Sequence, residues 1–392
     1  MKFIKFAVFT VFTVIITALA LTSCSGARYD SQGLCYEENS DGSYSVSVGR
    51  AKELTVLTVP ATFEGKAVTR IAAGGFKENG TLTAVYLPEG LLSIGKQAFA
   101  KCEALTEVAV PDSVTTIGND AFYECAALSR VQLGNGLKTI GSYAFFYCSA
   151  LADISIPEGV TSIGTMAFRG CAVKSVRIPN GVTEIGDNLF SGCSKLEEVY
   201  LGSGVTRIGR SAFDGCDNLR EITFHDGVEV IGESAFRSCI ALKAVNIPDS
   251  VTRIEANAFS TCSNLEAIHL PAKLTFIGDR AFNSCDIMVV ALPSGVTEIG
   301  EEAFAGNNIT EIVLPNGVGS IRKRTFSHCH ELARITLPKG ITAIGKSVFY
   351  GSESLVRIYY GGTLAEWEEV SKASGWDENT GDFTVVCTDG EI

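Results

Sequence analysis

Residues 151–171 read LADISIPEGVTSIGTMAFRGC, and the same pattern recurs along most of this 392-residue chain. Its consensus is L-x-x-V-x-L-P-x-G-V-T-x-I-G-x-x-A-F-x-x-C. The most regular marker is a phenylalanine whose successive copies lie 22 or 23 residues apart. These residues are Phe76, Phe99, Phe122, Phe145, Phe168, Phe190, Phe213, Phe236, Phe259, Phe282, Phe304, Phe326 and Phe349. A fixed period of this length predicts stacked repeats, each too small to fold alone, that share one continuous core.

Each repeat contains two stretches with strand character. The L-x-x-V-x-L stretch predicts a short strand whose first, fourth and sixth residues point into the core, whereas the third and fifth point outward. The Pro-x-Gly sequence that follows favours a tight turn. The I-G-x-x-A-F stretch predicts a second short strand that leads into another tight turn.

This pattern resembles the leucine-rich repeats of the bacterial surface-antigen type, the BspA-like family. The I-G-x-x-A-F-x-x-C signature carries the resemblance, which extends over about residues 36–388. It implies a strand-rich, right-handed leucine-rich repeat solenoid of α/β type with about 13 repeats. We expect an N-terminal cap over residues 34–53, the repeat array over 54–358 and a C-terminal cap over 359–392. In the C-terminal cap, Thr363–Glu366 matches a capping box, Trp367 is expected to seal the last repeat, and residues 383–387 are expected to form a final strand.

The first 24 residues read as an export signal. Lys2 and Lys5 precede an apolar stretch of about 15 residues, which is the length of a signal-peptide core and short for a membrane-spanning helix. The sequence Leu21-Thr22-Ser23-Cys24 resembles the lipobox of bacterial lipoproteins, in which cleavage precedes the lipid-modified cysteine. We therefore expect a signal peptide over 1–23, lipidation at Cys24 and a polar tether over 24–33. An ordinary signal peptide or an uncleaved anchor, with Cys24 incidental, stays open as the alternative.

Ten of the 13 cysteines occupy one position of the repeat. They are Cys102, Cys125, Cys148, Cys171, Cys193, Cys216, Cys239, Cys262, Cys285 and Cys329. Neighbours in such a column lie about 4.8 Å apart, which exceeds the Cβ separation of about 3.8 Å that a disulfide prefers. We therefore predict a structural ladder of buried free thiols that donate weak hydrogen bonds to backbone. A metal ladder, a redox store and a disulfide chain are the alternatives.

The composition argues against several classes of function. Lys and Arg number 32 against 44 Asp and Glu, a net charge of −12, so nucleic acid is not an expected partner. The sequence carries no P-loop, zinc-protease, hydrolase-elbow or EF-hand signature. His328-Cys329-His330 is the one histidine cluster, and it offers too few ligands for a metal site. We expect no enzyme activity, no metal and no cofactor.

The outward strand positions are the candidate partner-binding surface. One group combines charged and aromatic side chains, Arg177, Glu198, Tyr200 and Glu221, the chemistry typical of protein contacts. A second group forms an apolar strip, Ala244, Ala267, Val289, Ala291 and Val313, with His269 beside it. The alternative is that these surface residues vary without functional constraint.

The function predicted from these observations is protein–protein interaction by a lipid-anchored cell-surface or outer-membrane protein. The family resemblance implies adhesion to host extracellular-matrix proteins or to other bacterial surface proteins. The alternative is a glycan- or small-ligand-binding lipoprotein that assists nutrient uptake. Aromatic platforms would favour that alternative, but Tyr86, Tyr200 and Tyr359 lie several repeats apart on the strand surface.

Overall fold

A computed structural model describes residues 28–392. The predicted signal peptide and the lipidation site at Cys24 lie outside the described residues. From residue 28 onward the chain forms a stack of short strands, with one α-helix at Leu364–Glu369. In this range no helix combines the length and apolarity needed to cross a bilayer.

The longer strands line one side of the stack, which we call the long-strand face. Most of them pair in parallel with the strands of the turns before and after, in register at intervals of one repeat. Pairing is missing between Glu221–Thr223 and Ala244–Asn246 and at the two breaks described below. In most of the three-residue strands the two outer residues are exposed and the middle residue is buried, as the sequence pattern predicts. The strands are Val56–Thr58, Ala84–Tyr86, Glu107–Ala109, Arg130–Gln132, Ser175–Arg177, Glu198–Tyr200, Glu221–Thr223, Ala244–Asn246, Ala267–His269, Glu311–Val313, Arg334–Leu337, Arg357–Tyr360 and Thr384–Cys387.

A second series of strands forms the short-strand face. Each ends on the isoleucine of the I-G sequence in the regular repeats, and its pairing is again parallel. The strands are Ser93–Ile94, Thr116–Ile117, Thr139–Ile140, Ser162–Ile163, Glu184–Ile185, Arg207–Ile208, Val230–Ile231, Arg253–Ile254, Phe276–Ile277, Glu298–Ile299, Ser320–Ile321, Ala343–Ile344 and Ser371–Lys372. The remaining strands lie at the ends of the chain: Arg28–Tyr29, Cys35–Glu38, Tyr44–Ser47, Thr62–Phe63, Lys66–Ile71 and Gly390–Glu391.

The solenoid has about 15 turns, two more than the 13 phenylalanines indicate. Both additional turns are at the C-terminal end. In the first of them, Trp376 takes the place of the core phenylalanine and lies 6.2 Å from Phe349, ring centroid to centroid. The second is the strand Thr384–Cys387, which pairs with Arg357–Tyr360.

The core is a continuous stack of phenylalanine rings. All 13 are fully buried, and neighbouring rings are nearly parallel with centroids 5.1 Å apart at Phe76–Phe99 and up to 6.2 Å apart at Phe326–Phe349. Burial of these rings, with the leucines and isoleucines that surround them, is the main stabilising contribution.

Aromatic side chains close both ends of this core. At the N-terminal end Tyr36 and Tyr44 are buried and Phe63 stacks on Tyr36 with a centroid separation of 3.9 Å. At the C-terminal end Thr363 caps the helix in the predicted capping box, and Trp367 is only 4% exposed. An open core end would expose apolar surface to water, so a solenoid needs such caps.

At two boundaries between turns, strand pairing is lost on both faces. The first break separates Ser162–Ile163 from Glu184–Ile185 on the short-strand face, and the second separates Glu298–Ile299 from Ser320–Ile321. In both cases the loop before the next long strand is one residue shorter than usual, after Cys171 and after Asn307. The loop after Cys285 is shortened by one residue as well, yet Ala267 still bridges to Val289 and Phe276–Ile277 still pairs with Glu298–Ile299. A shorter loop therefore accompanies both breaks but is not sufficient to cause one. The phenylalanine stack continues across both breaks.

Candidate functional site

The long-strand face brings the charged and aromatic group together. The Arg177 guanidinium lies 4.9 Å from the centroid of the Tyr200 ring, within the range of a cation–π contact. The Tyr200 hydroxyl donates a hydrogen bond of 2.8 Å to the Glu198 carboxylate. This hydrogen bond, together with the negative charge of Glu198, raises the pKa of Tyr200. Glu221 lies opposite Glu198 in the strand register, so the four side chains form one exposed cluster.

The apolar strip is exposed as expected, and its large side chains are prominent. Val289 is 73% exposed and Val313 is 62% exposed, whereas a core valine such as Val290 is buried. Ala244, Ala267 and Ala291 are exposed on the same face, and His269 is exposed beside them. Contiguous exposed apolar side chains are costly in water unless a partner covers them.

A groove of about 640 Å³ lies within this strip, between residues 289–292 and 311–316. It lies at the second break. Val289 pairs with Ala267 of the turn before it, but no strand pairing joins Val289 to the strand Glu311–Val313 of the turn after it. Val289, Ala291 and Val313 line it, with Glu311 at its polar side. A smaller groove of about 390 Å³ continues from Ala291 to His269. The sequence indicates the apolar residues, but the groove arises from the missing strand pairing.

The residues that line this groove are suited to binding a partner. An open apolar groove with a few polar groups accepts an apolar side chain of a partner and fixes it through the polar edge. The Glu311 carboxylate lies 3.8 Å from a guanidinium nitrogen of Arg334 in the next turn. This ion pair is exposed and therefore weak, so a partner can replace it at little cost in free energy.

The ten cysteines of the ladder are buried and free. Each thiol donates to the carbonyl oxygen of the phenylalanine one turn earlier, with Sγ···O distances from 3.0 Å at Cys125 to 3.3 Å at Cys216 and Cys329. Asn307 and Ser352 occupy the same position in other turns and donate to Phe282 and Phe326 at 2.7 and 2.8 Å. Burial raises the pKa of the Cys262 thiol to about 12. Cys35 and Cys387 are also free and buried.

The histidine cluster divides between core and surface. Cys329 is fully buried, whereas His328 and His330 are exposed with ring centroids 6.0 Å apart. Within residues 28–392 no group of three or more His, Cys, Asp or Glu side chains is placed to hold a metal ion.

Four aromatic residues next to the core phenylalanines form a surface cluster that the sequence analysis did not identify. They are Tyr123, Tyr143, Phe146 and Tyr147, and the Tyr123 and Phe146 rings stack with centroids 4.9 Å apart. Comparing the two positions on either side of each core phenylalanine would have found them, because the corresponding residues of most other turns are small or polar.

Comparison with known proteins identifies the repeat class. The family described as "BspA type Leucine rich repeat region (6 copies)" matches residues 69–197, 183–307 and 297–371. Among solved structures, a leucine rich cell surface protein from Faecalibacterium prausnitzii is 29% identical, with 90% of this chain and 99% of that chain covered and a TM-score of 0.53. A leucine-rich repeat protein from Bacteroides ovatus is 26% identical, with 90% and 98% covered and a TM-score of 0.56. Comparison with curated proteins finds no match. Because the family matches extend over residues 69–371, the chain belongs to the BspA-type leucine-rich repeat proteins.

Proposed function

We propose that this protein is a lipid-anchored bacterial surface protein whose long-strand face binds another protein. The observation that carries this proposal is the apolar groove between residues 289–292 and 311–316, set in a strip of exposed valine and alanine side chains. The F. prausnitzii neighbour is described as a cell surface protein, which supports the proposed location.

The anchor in this proposal is Cys24. The apolar stretch before it and the Leu21-Thr22-Ser23-Cys24 sequence match the requirements of lipoprotein processing. Several acyl chains at one cysteine hold a protein firmly, whereas a single chain binds a membrane only marginally. The expected tether over 24–33 is too long, because Arg28–Tyr29 pairs with the strand Cys35–Glu38 in the N-terminal cap. In this proposal the tether is the short stretch between Cys24 and Arg28.

A protein is the partner class that this surface fits best. The apolar groove supplies a place for a buried side chain, and the Arg177–Tyr200–Glu198 cluster supplies the residue types that dominate binding energy at interfaces. From the turn of Arg177 to the turn of Val313 the face extends roughly 30 Å at the strand spacing of a parallel sheet. That length suits an interface of about 800 Å² per partner. Adhesion to host extracellular-matrix proteins, or to surface proteins of other bacteria, is the proposed role.

The test is binding of the full-length protein to a panel of immobilised extracellular-matrix proteins and to whole bacteria. The decisive variant carries Val289→Asp and Val313→Asp. Both side chains are exposed, so the variant is expected to keep the melting midpoint of the wild type. Its affinity for the panel member that the wild type binds should fall by more than about tenfold. The matched control is Leu92→Asp, because Leu92 is 45% exposed and lies outside the long-strand face. Equal binding by the wild type and the double variant would refute the groove as the binding site.

A further inference from the structure

Four aromatic side chains cluster on the surface beside the Phe122 and Phe145 turns, away from the long-strand face. Tyr123 and Phe146 stack with an interplanar angle of 4°, and Tyr147 meets Phe146 edge to face with centroids 4.6 Å apart. Tyr143 lies 5.5 Å from Phe146. Tyr147 is 47% exposed and the other three are partly exposed, so the cluster presents ring surface to solvent.

The repeat does not require these side chains. The position two residues after the core phenylalanine, where Tyr147 lies, is glycine in five turns: Gly170, Gly192, Gly215, Gly306 and Gly351. The backbone there is left-handed, with φ of 51° at Tyr147, and Tyr143 is left-handed too, with φ of 58°. Side chains other than glycine are strained in this conformation, but both positions are left-handed in every turn, so the strain belongs to the repeat. What distinguishes this turn is that it places large aromatic side chains there.

Polar groups surround the rings. The Glu124 carboxylate beside Tyr123 raises the pKa of the Tyr123 hydroxyl. The Lys101 ammonium lies 3.8 Å from the same carboxylate, and its side chain is 46% exposed. Aromatic ring surface bordered by hydroxyls, a carboxylate and an ammonium favours a ligand that is itself amphipathic: apolar on one face, with hydroxyls at its edge.

We propose that the cluster of Tyr123, Tyr143, Phe146 and Tyr147 is a carbohydrate-binding site for β-linked pyranose chains. A pyranose with equatorial hydroxyls exposes axial C–H groups on its faces, and these are attracted to the electron-rich face of an aromatic ring. Its edge hydroxyls can donate to Glu124 and accept from Lys101. Tyr123 and Phe146 each cover one face of the other, so the ring surface most open to a sugar is that of the exposed Tyr147, which meets Phe146 edge to face. This site is separate from the proposed protein-binding face and does not depend on it.

The test is isothermal titration calorimetry of the full-length protein with two probes, the β-1,4-linked glucose hexamer and the β-1,4-linked N-acetylglucosamine hexamer. The key variant is Tyr147→Gly, which installs the residue that five other turns carry at this position and relieves the left-handed strain. We expect its melting temperature to equal or exceed that of the wild type, while its affinity for the bound hexamer falls by about tenfold or more. Phe146→Ala should lose binding similarly.

The matched control is His328→Gly, because His328 occupies the same left-handed position in another turn, with φ of 56°. It should bind the hexamer within about twofold of the wild type. The Val289→Asp, Val313→Asp variant should also bind it normally, which separates this proposal from the protein-binding one. Failure of both hexamers to give saturable binding would overturn the proposal. Unchanged affinity of Tyr147→Gly would overturn it as well, as would a protein ligand that requires Tyr147 and that neither hexamer displaces.

Discussion

Each core phenylalanine is held between the rings of the two neighbouring turns, so its contribution to stability depends on its place in the stack. Phe213 lies 5.6 Å from Phe190 and 5.2 Å from Phe236, ring centroid to centroid, and is fully buried. Phe213→Ala is expected to lower the free energy of unfolding by about 3–5 kcal/mol, since it leaves a cavity in a continuous core. Denaturant unfolding monitored by circular dichroism measures this change.

The comparison variant is Phe349→Ala. Phe349 lies near the C-terminal cap, 6.2 Å from both Phe326 and Trp376. Its loss is expected to cost less, because fewer turns depend on it. A Phe213→Ala midpoint equal to that of the wild type would contradict the assigned repeat phase.

The cysteine ladder predicts a fall in stability at alkaline pH. Burial raises the pKa of Cys193, Cys262 and Cys329 to about 12 from an ordinary value of 9.0. The folded state therefore holds these thiol protons where the unfolded state releases them. Their contribution to stability is complete below about pH 9 and declines as the pH rises from 9 toward 12. The melting temperature measured across this range tests the prediction.

A serine variant separates the thiols from other groups that titrate at high pH. Cys193→Ser and Cys262→Ser keep the hydrogen bond to the phenylalanine carbonyl, as Ser352 does in the native chain. The double variant should have a shallower decline of melting temperature above pH 9 than the wild type. An identical decline in the two proteins would show that the buried thiols are not responsible.

At the scale of single elements, the two breaks are the weakest boundaries of the solenoid. In regular turns the amide after the short-strand isoleucine donates to the isoleucine carbonyl one turn earlier, as Gly209 does to Ile185 and Gly345 to Ile321, both at 2.8 Å. Gly186 and Arg322 occupy this position at the breaks, and within residues 28–392 their amides make no such bond. Only the core stack and the turns hold the boundary there.

Amide hydrogen exchange should therefore be faster at Gly186 and Arg322 than at Gly209 and Gly345, by at least about tenfold. Exchange measured by NMR or by mass spectrometry of short peptides resolves the four positions. Equal protection of the two pairs would mean that the breaks do not weaken the solenoid locally.

The strands can be predicted from a single repeat, because the alternation of buried and exposed residues is local and occurs in every copy. Features that depend on the packing of two adjacent turns cannot be predicted from the sequence of one repeat. The groove at Val289 and Val313 lies where strand pairing is lost between two turns, and the sequence indicates the apolar residues without the opening between them. To predict the cluster around Phe146, residues at equivalent positions of adjacent turns have to be compared. The turn of Trp376 is missed when repeats are counted by phenylalanine, because a tryptophan occupies the core position next to Phe349.

At the scale of the whole molecule, the solenoid keeps apart the two surfaces for which we propose binding roles. The core and the cysteine ladder hold the turns together and offer no reactive group to solvent. The long-strand face carries the groove and the Arg177–Tyr200 cluster, and the turn edge near Phe146 carries the aromatic cluster. A chain with a net charge of −12 and two such surfaces suits contact with macromolecules outside the cell better than contact with nucleic acid.

The central claim is that these surfaces face the exterior of the cell, and protease shaving of intact cells tests it most directly. Cells that produce the full-length protein are treated with a broad-specificity protease, and the solenoid is followed with an antibody, with a cytoplasmic protein as the control for integrity. We predict loss of the solenoid from unbroken cells while the cytoplasmic control persists. A solenoid that is protected in unbroken cells and digested only after lysis would contradict it.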